Sequence, residues 1–600
     1  MTPSEYGGLL AGGTLGKAKE LETAAATFLI PTEIATNRDD VAKYAEQLEF
    51  CVRNGFSAKE FVQRCNDEGL AINEQSLHID LYNELVRLDR ENKNGVWARI
   101  IKNSFAPLFV GRTFDFIAGN PPWVNWNNLP AHYRKNLIEL NQHVYDLFPH
   151  KGVRARHGSA SIDISTLFVY VGADKYLRDK GRLGFVITQS VFKSSGGSEG
   201  FRRFKLPNGV PLGVTHVDDF SNLQPFEGAQ NRTAVLCIAR GLKTNYPLRY
   251  LLWQRESPHT IESENEAPSL KAIELTAWPV QSQNRQSPWI TMPSTHAAPI
   301  RKVLGDSPFE AKLGVHTWLN GAYWLVHDEV VSSGQRLVVN AHDIGKKKVK
   351  RIETVLEGDL VYPLVRGRDV HRWFARPNLS IIVPHSLQHP GVGISESVLK
   401  NRYHRTFDYF QQLRRDLEGR SGFIKFIRPA GGPFYAVYNI GSYTFKPFKV
   451  VWREQASSIQ ACVIARATDG RLVMPDHKLT IIGFDSEREA QFICGLLNSA
   501  AVQFAVAAYS IEVQISTHVT NMINLPQFEE NNDSHKHIAE LARLCQDLAE
   551  KGDVASLRDC ENQIDAASAK VWGISSKELL ILKESLTGID PYASAGDDAE

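Results

Sequence analysis

Residues 114–126, FDFIAGNPPWVNW, restrict the chain more tightly than any other stretch of its sequence. The run FDFIAG has the β-favouring residues of a buried strand. Pro121 and Pro122 follow directly. Each proline holds φ near about −65° and removes a backbone donor, so the sheet cannot continue through them. The chain must therefore leave the C-terminal edge of a strand in one stiff shape, and in open α/β sheets that edge is where ligands bind. Asn120 offers an amide oxygen there, Pro121 a bare carbonyl and Trp123 an aromatic face. A proline-rich turn needs neither the amide nor the indole.

Those groups suit one task. They can hold a planar exocyclic amine, with the two oxygens accepting its hydrogens while its ring stacks on the indole. Such an amine is a poor nucleophile because its lone pair is delocalised into the ring. Two fixed acceptors favour the tetrahedral nitrogen of the transition state, with no metal and no strong base.

Around this motif the texture of the chain changes several times. Residues 17–100 show apolar residues at helical spacing, in AKELETAAATFLI, DDVAKYAEQLEFCVRNG, SAKEFVQRCNDEGL and SLHIDLYNELVRLDREN. From about 101 to 245, short apolar strands alternate with helical runs: FDFIAG, STLFVYVGADKYLRDKG, RLGFVITQ, VTHVDDF and TAVLCIAR. That alternation predicts an α/β region with a largely parallel, doubly wound sheet. Residues 246–300 are polar and read as a connecting excursion. Residues 301–530 mix aromatics, Gly, Pro and short β-like runs, which predicts an α+β domain, and 531–600 return to helix.

The seven cysteines are scattered without metal spacing, as in a reducing cytoplasm. No apolar run reaches the roughly 18 residues that span a bilayer, so a soluble cytoplasmic protein without a membrane partner is expected. With 68 Lys+Arg against 67 Asp+Glu, net charge neither requires nor excludes nucleic acid. Any basic surface must be local. KKKVKR (346–351), with Lys347 and Lys348, is the densest basic block. RGRDVHRW carries Arg366, Arg368 and Arg372. Both could contact a phosphate backbone, and both could be solvated faces.

With NPPW in place, the chain resembles the gamma-class N6-adenine DNA methyltransferases, in particular the large fused restriction–modification methylases of type IIG. The resemblance extends over about residues 100–245. STLFVYVGADKYLRDKGRLGFVITQSVF is similar to the family's helix-then-strand segment, which places Phe168 at or beside the adenosyl-stacking aromatic of S-adenosylmethionine. Asp115, on the NPPW strand, is assigned with it to the cofactor side. HVDDFSNLQPFEGAQNRTAVLCIARG is similar to the segment whose aromatic stacks on the flipped target base, here Phe226. Asn120, Pro121, Pro122 and Trp123 become the catalytic tetrad, and the base would lie between Trp123 and Phe226. AKLGVHTWLNGAYW, PLVRGRDVHRW and FKVVWRE resemble the family's target-recognition region, which implies double-stranded DNA as partner.

One family element has no counterpart here. The glycine-rich cofactor loop of the type D/N-P-x-x-G-x-G, on a strand before the NPPW motif, cannot be placed. YGGLLAGGTLGK (6–17) has the glycines but neither the preceding strand nor the Asp/Asn-Pro. The resemblance therefore implies a partial Rossmann-like methyltransferase sheet, the C-terminal portion of a methylase. An N-terminal half or subunit would supply the loop, and S-adenosylmethionine would bind the isolated chain weakly or not at all. Another reading is a non-catalytic DNA-recognition or scaffold subunit of a restriction–modification complex. Methylation of a protein glutamine amide is disfavoured by the long region after residue 245, and cytosine by Asn rather than Ser before the prolines.

Overall fold

The computed structural model describes residues 18–22, 26–35, 37–93, 102–103, 112–148, 163–194, 197–223, 225–226, 228–229, 231–255, 270–388, 390–456, 458–509, 515 and 517–586. YGGLLAGGTLGK lies outside them. The chain divides into two compact units, Met1–Phe192 with Gly196–Glu274, and Lys193–Ser195 with Leu275–Glu600.

The first unit opens with a correction. AKELETAAATFLI, expected as helix, is an antiparallel hairpin of β1 (Ala18–Glu22) and β2 (Thr27–Pro31). TFLIP buries Phe28 and Ile30 and exposes Thr27 and Leu29, a period of two that packing enforces over the helical preference of the flanking Ala, Lys and Glu residues. The three helices that follow match expectation: α1 (Arg38–Arg53), α2 (Ala58–Asp67) and α3 (Gln75–Arg90). In α1, Val41, Tyr44, Ala45, Leu48, Cys51 and Val52 form the buried stripe. Asn37 caps α1 by accepting from the Asp40 N–H at 2.9 Å, and Ser57 with Glu60 forms a capping box on α2. These helices and β2 close one apolar core.

The sheet of the first unit contains β3 (Phe114–Gly119), β4 (Leu177–Thr188), β5 (Leu212–Asp219), β6 (Thr233–Arg240) and β7 (Leu248–Arg255), in the order β3-β4-β6-β5-β7. It is mixed rather than largely parallel: β3–β4 and β5–β7 run parallel, while β4–β6 and β5–β6 run antiparallel. β6 lies between β4 and β5 and runs antiparallel to both, which gives the sheet its mixed order. LRDKG, expected at a helix end, belongs to β4. Its register against β3 breaks between Phe114↔Leu177 and Phe116↔Arg182, with Lys180 at φ +66°.

The expected excursion at 246–300 is also corrected. It contains β7, β8 (Leu270–Pro279), β9 (Trp289–Met292) and a helix, Ala297–Val303. Tyr250 and the four residues of β9 are buried, so this stretch contributes strands to the core despite its polar composition.

The second unit contains a six-stranded mixed sheet in the order Glu353–Glu357, Gln335–Asn340, Trp324–Ser332, Leu379–Ile382, Val361–Val365 and Met474–Pro475. A four-stranded sheet orders Lys312–Leu313, Leu479–Phe484, Phe448–Arg453 and Cys462–Ile464. Helices Glu487–Asn498, Asp533–Lys551 and Val554–Val571 pack together in the same unit. Among the described residues no single helix is long and apolar enough to cross a membrane.

Candidate functional site

The NPPW segment leaves β3 beside β4, with Gly119 opposite Phe185. A side chain at Gly119 would meet the Phe185 ring at 3.1 Å, so the glycine leaves room for that ring just before the bend. Asn120 then emerges exposed, Pro121 is buried and Pro122 is exposed. The bend is fastened twice. The Trp123 Nε1–H donates to the Val186 carbonyl at 3.1 Å, and the Ile164 N–H donates to the Val124 carbonyl at 3.0 Å. Asn125 adds an antiparallel bridge to Asp163. Two prolines fix the backbone covalently, and these bonds fix where it points.

Asp163 accepts from the Ser165 N–H at 2.8 Å, and burial pushes its carboxyl above the ordinary range. Ser165 begins the helix Ser165–Val171, from which Phe168 projects with 40% of its surface exposed. Phe226 reaches Trp123: the ring centroids are 4.8 Å apart with planes at 70°. This is an edge-on contact and not a pair of facing walls. A base lying between two rings needs a stacking distance on each side, so in this arrangement the expected slot between Trp123 and Phe226 is closed.

Four further polar residues gather at this same end of the sheet, and sequence reasoning missed them. Gln189 follows β4, Asp219 ends β5, Thr233 begins β6 opposite Thr188, and Tyr250 lies on β7. Asp219 is buried. It accepts from the Tyr250 hydroxyl, from Gln189 Nε2 at 3.3 Å and from the Ser221 N–H at 2.8 Å. Burial, then the Asp219 charge, pushes the Tyr250 phenol well above its usual range. Among the described residues, Gln189 Oε1 and Thr233 Oγ1 are buried with no hydrogen-bond partner. Unsatisfied buried polar atoms carry a free-energy cost, and beside a stiff acceptor-bearing bend they mark where a polar ligand or water belongs. Nothing local in the sequence points to them, because pairing across strands brings them together.

On the donor side the residues present do not fit S-adenosylmethionine by themselves. The Asp115 carboxylate forms an ion pair with Arg178. The described residues place no strand on the far side of β3, where Phe114 and Phe116 are 44% and 73% exposed.

In the second unit, the expected DNA contacts divide by exposure. Lys347 and Lys348 are exposed, Lys347 with an ion pair to Asp416 at 2.8 Å, and Arg368 is exposed. Arg366 and Arg372 are buried. Arg366 clasps Asp369 through two nitrogens, at 3.0 and 3.1 Å, and reaches Asn378 at 2.8 Å. Arg372 reaches Glu561 at 2.5 Å and the Asn498 carbonyl at 2.7 Å, fastening RGRDVHRW to the helix Val554–Val571. Both guanidiniums are buried in hydrogen bonds within the chain.

Comparison with known proteins gives one family match and several similar structures. Residues 39–221 match the family described as Eco57I restriction-modification methylase, a stretch that includes α1 to α3, β3 and the NPPW segment. No curated protein matches the sequence. Among solved structures, the chain is similar to the type IIL restriction-modification enzyme MmeI in complex with DNA (12% identity, 79% of this chain, 57% of that one, TM-score 0.43). It is also similar to the DrdV–DNA complex (11%, 75% and 45%, TM-score 0.37). A third similar structure is a nuclease-deletion mutant of the type ISP restriction-modification enzyme LlaGI with a DNA substrate mimic (10%, 79% and 46%, TM-score 0.35). The chain spans about half the length of the structures it matches.

Proposed function

We propose that this chain holds the target base and reads the DNA in a site-specific adenine-N6 methyltransferase of a restriction-modification or phage-defence system. The observation that carries the reading is the bend itself: Asn120 exposed at the C-terminal end of β3, with Trp123 fastened to Val186 behind it. Its chemistry suits adenine, whose amine has two hydrogens for the Asn120 oxygen and the Pro121 carbonyl. The base must leave the duplex to reach them, because its amine is otherwise paired and shielded. Opening the edge-on Trp123–Phe226 contact is then part of base entry, with Phe226 swinging aside to cover the ring. The match of residues 39–221 to a methylase family supports the reaction class.

S-adenosylmethionine supplies the methyl group when bound, and the polypeptide that carries the glycine-rich loop holds it. The open side of β3 supports this division. Among the described residues no strand pairs with the outer edge of β3, and Phe114 and Phe116 on it are exposed, a surface that a covering chain would bury. Phe168 would meet the adenosyl ring, while Asp115 would first have to release Arg178. Lys347, Lys348 and Arg368 would contact the DNA backbone.

The test is transfer of a labelled methyl group from S-adenosylmethionine to duplex DNA, with this chain alone and with a polypeptide supplying the loop. Label in DNA only for the pair supports the proposal. Specific DNA binding with no label in any pairing supports the other reading, a recognition subunit with an inert methylase half. The closed Trp123–Phe226 contact is the one feature that favours that alternative.

A further inference from the structure

The second unit contains a ladder of rings that the proposed reaction does not use. His477 stacks on His316 with centroids 4.2 Å apart and planes at 11°, and His316 stacks on Trp318 at 4.1 Å and 19°. Trp318 meets Phe426 at 5.8 Å and 21°, and Phe426 meets Tyr438 at 5.3 Å and 24°. Three segments distant in sequence build it. His316 and Tyr438 exchange two backbone hydrogen bonds of 3.0 Å, and the Val315 N–H donates to the Pro475 carbonyl at 2.9 Å.

The fold goes to some length to present Trp318. Its φ is +54°, in the left-handed region that L-residues adopt only when the surroundings impose it. Gly422 lies so close that a Cβ there would fall 1.9 Å from the indole. Arg420, buried, spends its guanidinium on four carbonyls: Thr317 at 2.8 Å, Leu417 at 3.0 Å, Phe434 at 2.6 Å and Ala436 at 3.0 Å. A hydrophobic core needs none of this, since any large apolar side chain fills space. Parallel rings at fixed spacing serve to offer a flat face.

That face reaches the surface. His316, Trp318, Phe426 and His477 are half-buried, and Tyr438 is exposed. Lys425 and Arg428, either side of Phe426 in sequence, are exposed. The imidazoles bring no charge: burial pushes His316 down to about 3 and His477 to about 4. A neutral π-surface on a segment that also carries exposed cations has the composition that receives nucleobases by stacking while cations meet the backbone.

We propose that this ladder is a second nucleobase site, on which an unpaired base of a DNA strand stacks against Tyr438, the last ring, with Phe426 backing it. The site deepens the DNA reading given above, but its test does not depend on catalysis. The probe is a short single-stranded oligonucleotide carrying 2-aminopurine, whose fluorescence falls when the base stacks on a ring, added to the full chain. Quenching is expected, with binding weakened about five- to a hundredfold by Tyr438→Leu, and to a smaller degree by Phe426→Leu, which removes the ring that backs Tyr438. Both variants keep apolar bulk and should unfold at the parent's denaturant midpoint. Absence of quenching, or binding without quenching, overturns the ladder site, as does a Leu variant that folds and binds like the parent. Quenching without methyl transfer in any pairing keeps the ladder and removes the proposed reaction.

Discussion

Two tryptophans show two ways of holding an aromatic ring in place. Trp123 in the first unit sits after two prolines, fastened by one hydrogen bond to Val186, with Phe226 against its edge and Asn120 exposed nearby. Its stiffness is covalent and visible in four consecutive residues. Trp318 in the second unit has no proline near it. His316, two residues before it, and Phe426 and Tyr438, more than a hundred residues after it, hold it over a glycine that makes room. Among the described residues, the first arrangement leaves Gln189 Oε1 and Thr233 Oγ1 buried without hydrogen-bond partners. The second is filled on the inside and offers only its outer face.

The comparison breaks most sharply at Asn120. Asn120→Ala should lower methyl transfer by the reconstituted pair about a hundred- to a thousandfold, the usual loss for one preorganised polar group. The denaturation midpoint should not move, because the side chain is exposed. Gly422→Ala should do the reverse. The new methyl group collides with the Trp318 ring, so the second unit should lose about 1–3 kcal/mol by denaturant titration while transfer chemistry survives.

The ladder histidines give a smaller, pH-dependent effect. Both folded pKa values lie below the ordinary imidazole value of about 6.5. Unfolding therefore takes up protons as pH falls from that value toward 4, and stability is lost on the acid side. The ceiling is about 1.4 kcal/mol per pH unit for each ring, less here because both are partly exposed. Asp476, pushed up to about 7 by burial, works in the opposite sense over the same window. His477→Phe removes one of these rings and leaves Asp476, so its urea midpoint should fall less between pH 7 and 4.5 than the parent's. An equal fall would show that the ring carries no such linkage. The smallest effect is expected at Phe116. Phe116→Ser on the open strand should change stability by under about 0.5 kcal/mol in the isolated chain and weaken capture of the loop-bearing polypeptide. Consistent with that open side, S-adenosylmethionine alone should not raise the melting temperature of the isolated chain.

What the sequence revealed follows the same division. α1 to α3 were readable because each buries a stripe at helical spacing, and the NPPW bend was readable because proline acts locally. The β1–β2 hairpin was not, since AKELE takes its conformation from pairing with TFLIP. The mixed order of the sheet and the gathering of Gln189, Asp219, Thr233 and Tyr250 depend on which strands pair, which no window of residues encodes. Arg366 and Arg372 look like phosphate contacts in sequence. Their partners Asp369 and Glu561 decide otherwise, and Glu561 lies 189 residues away from Arg372.

The account rests on the stiff bend gripping an extruded adenine, and mass spectrometry of nucleosides from DNA treated with the reconstituted pair tests that most directly. It predicts N6-methyladenine with the parent chain, and a near-complete loss with Asn120→Ala at unchanged DNA binding. Methyl groups on cytosine, or N6-methyladenine made equally well by Asn120→Ala, would contradict it.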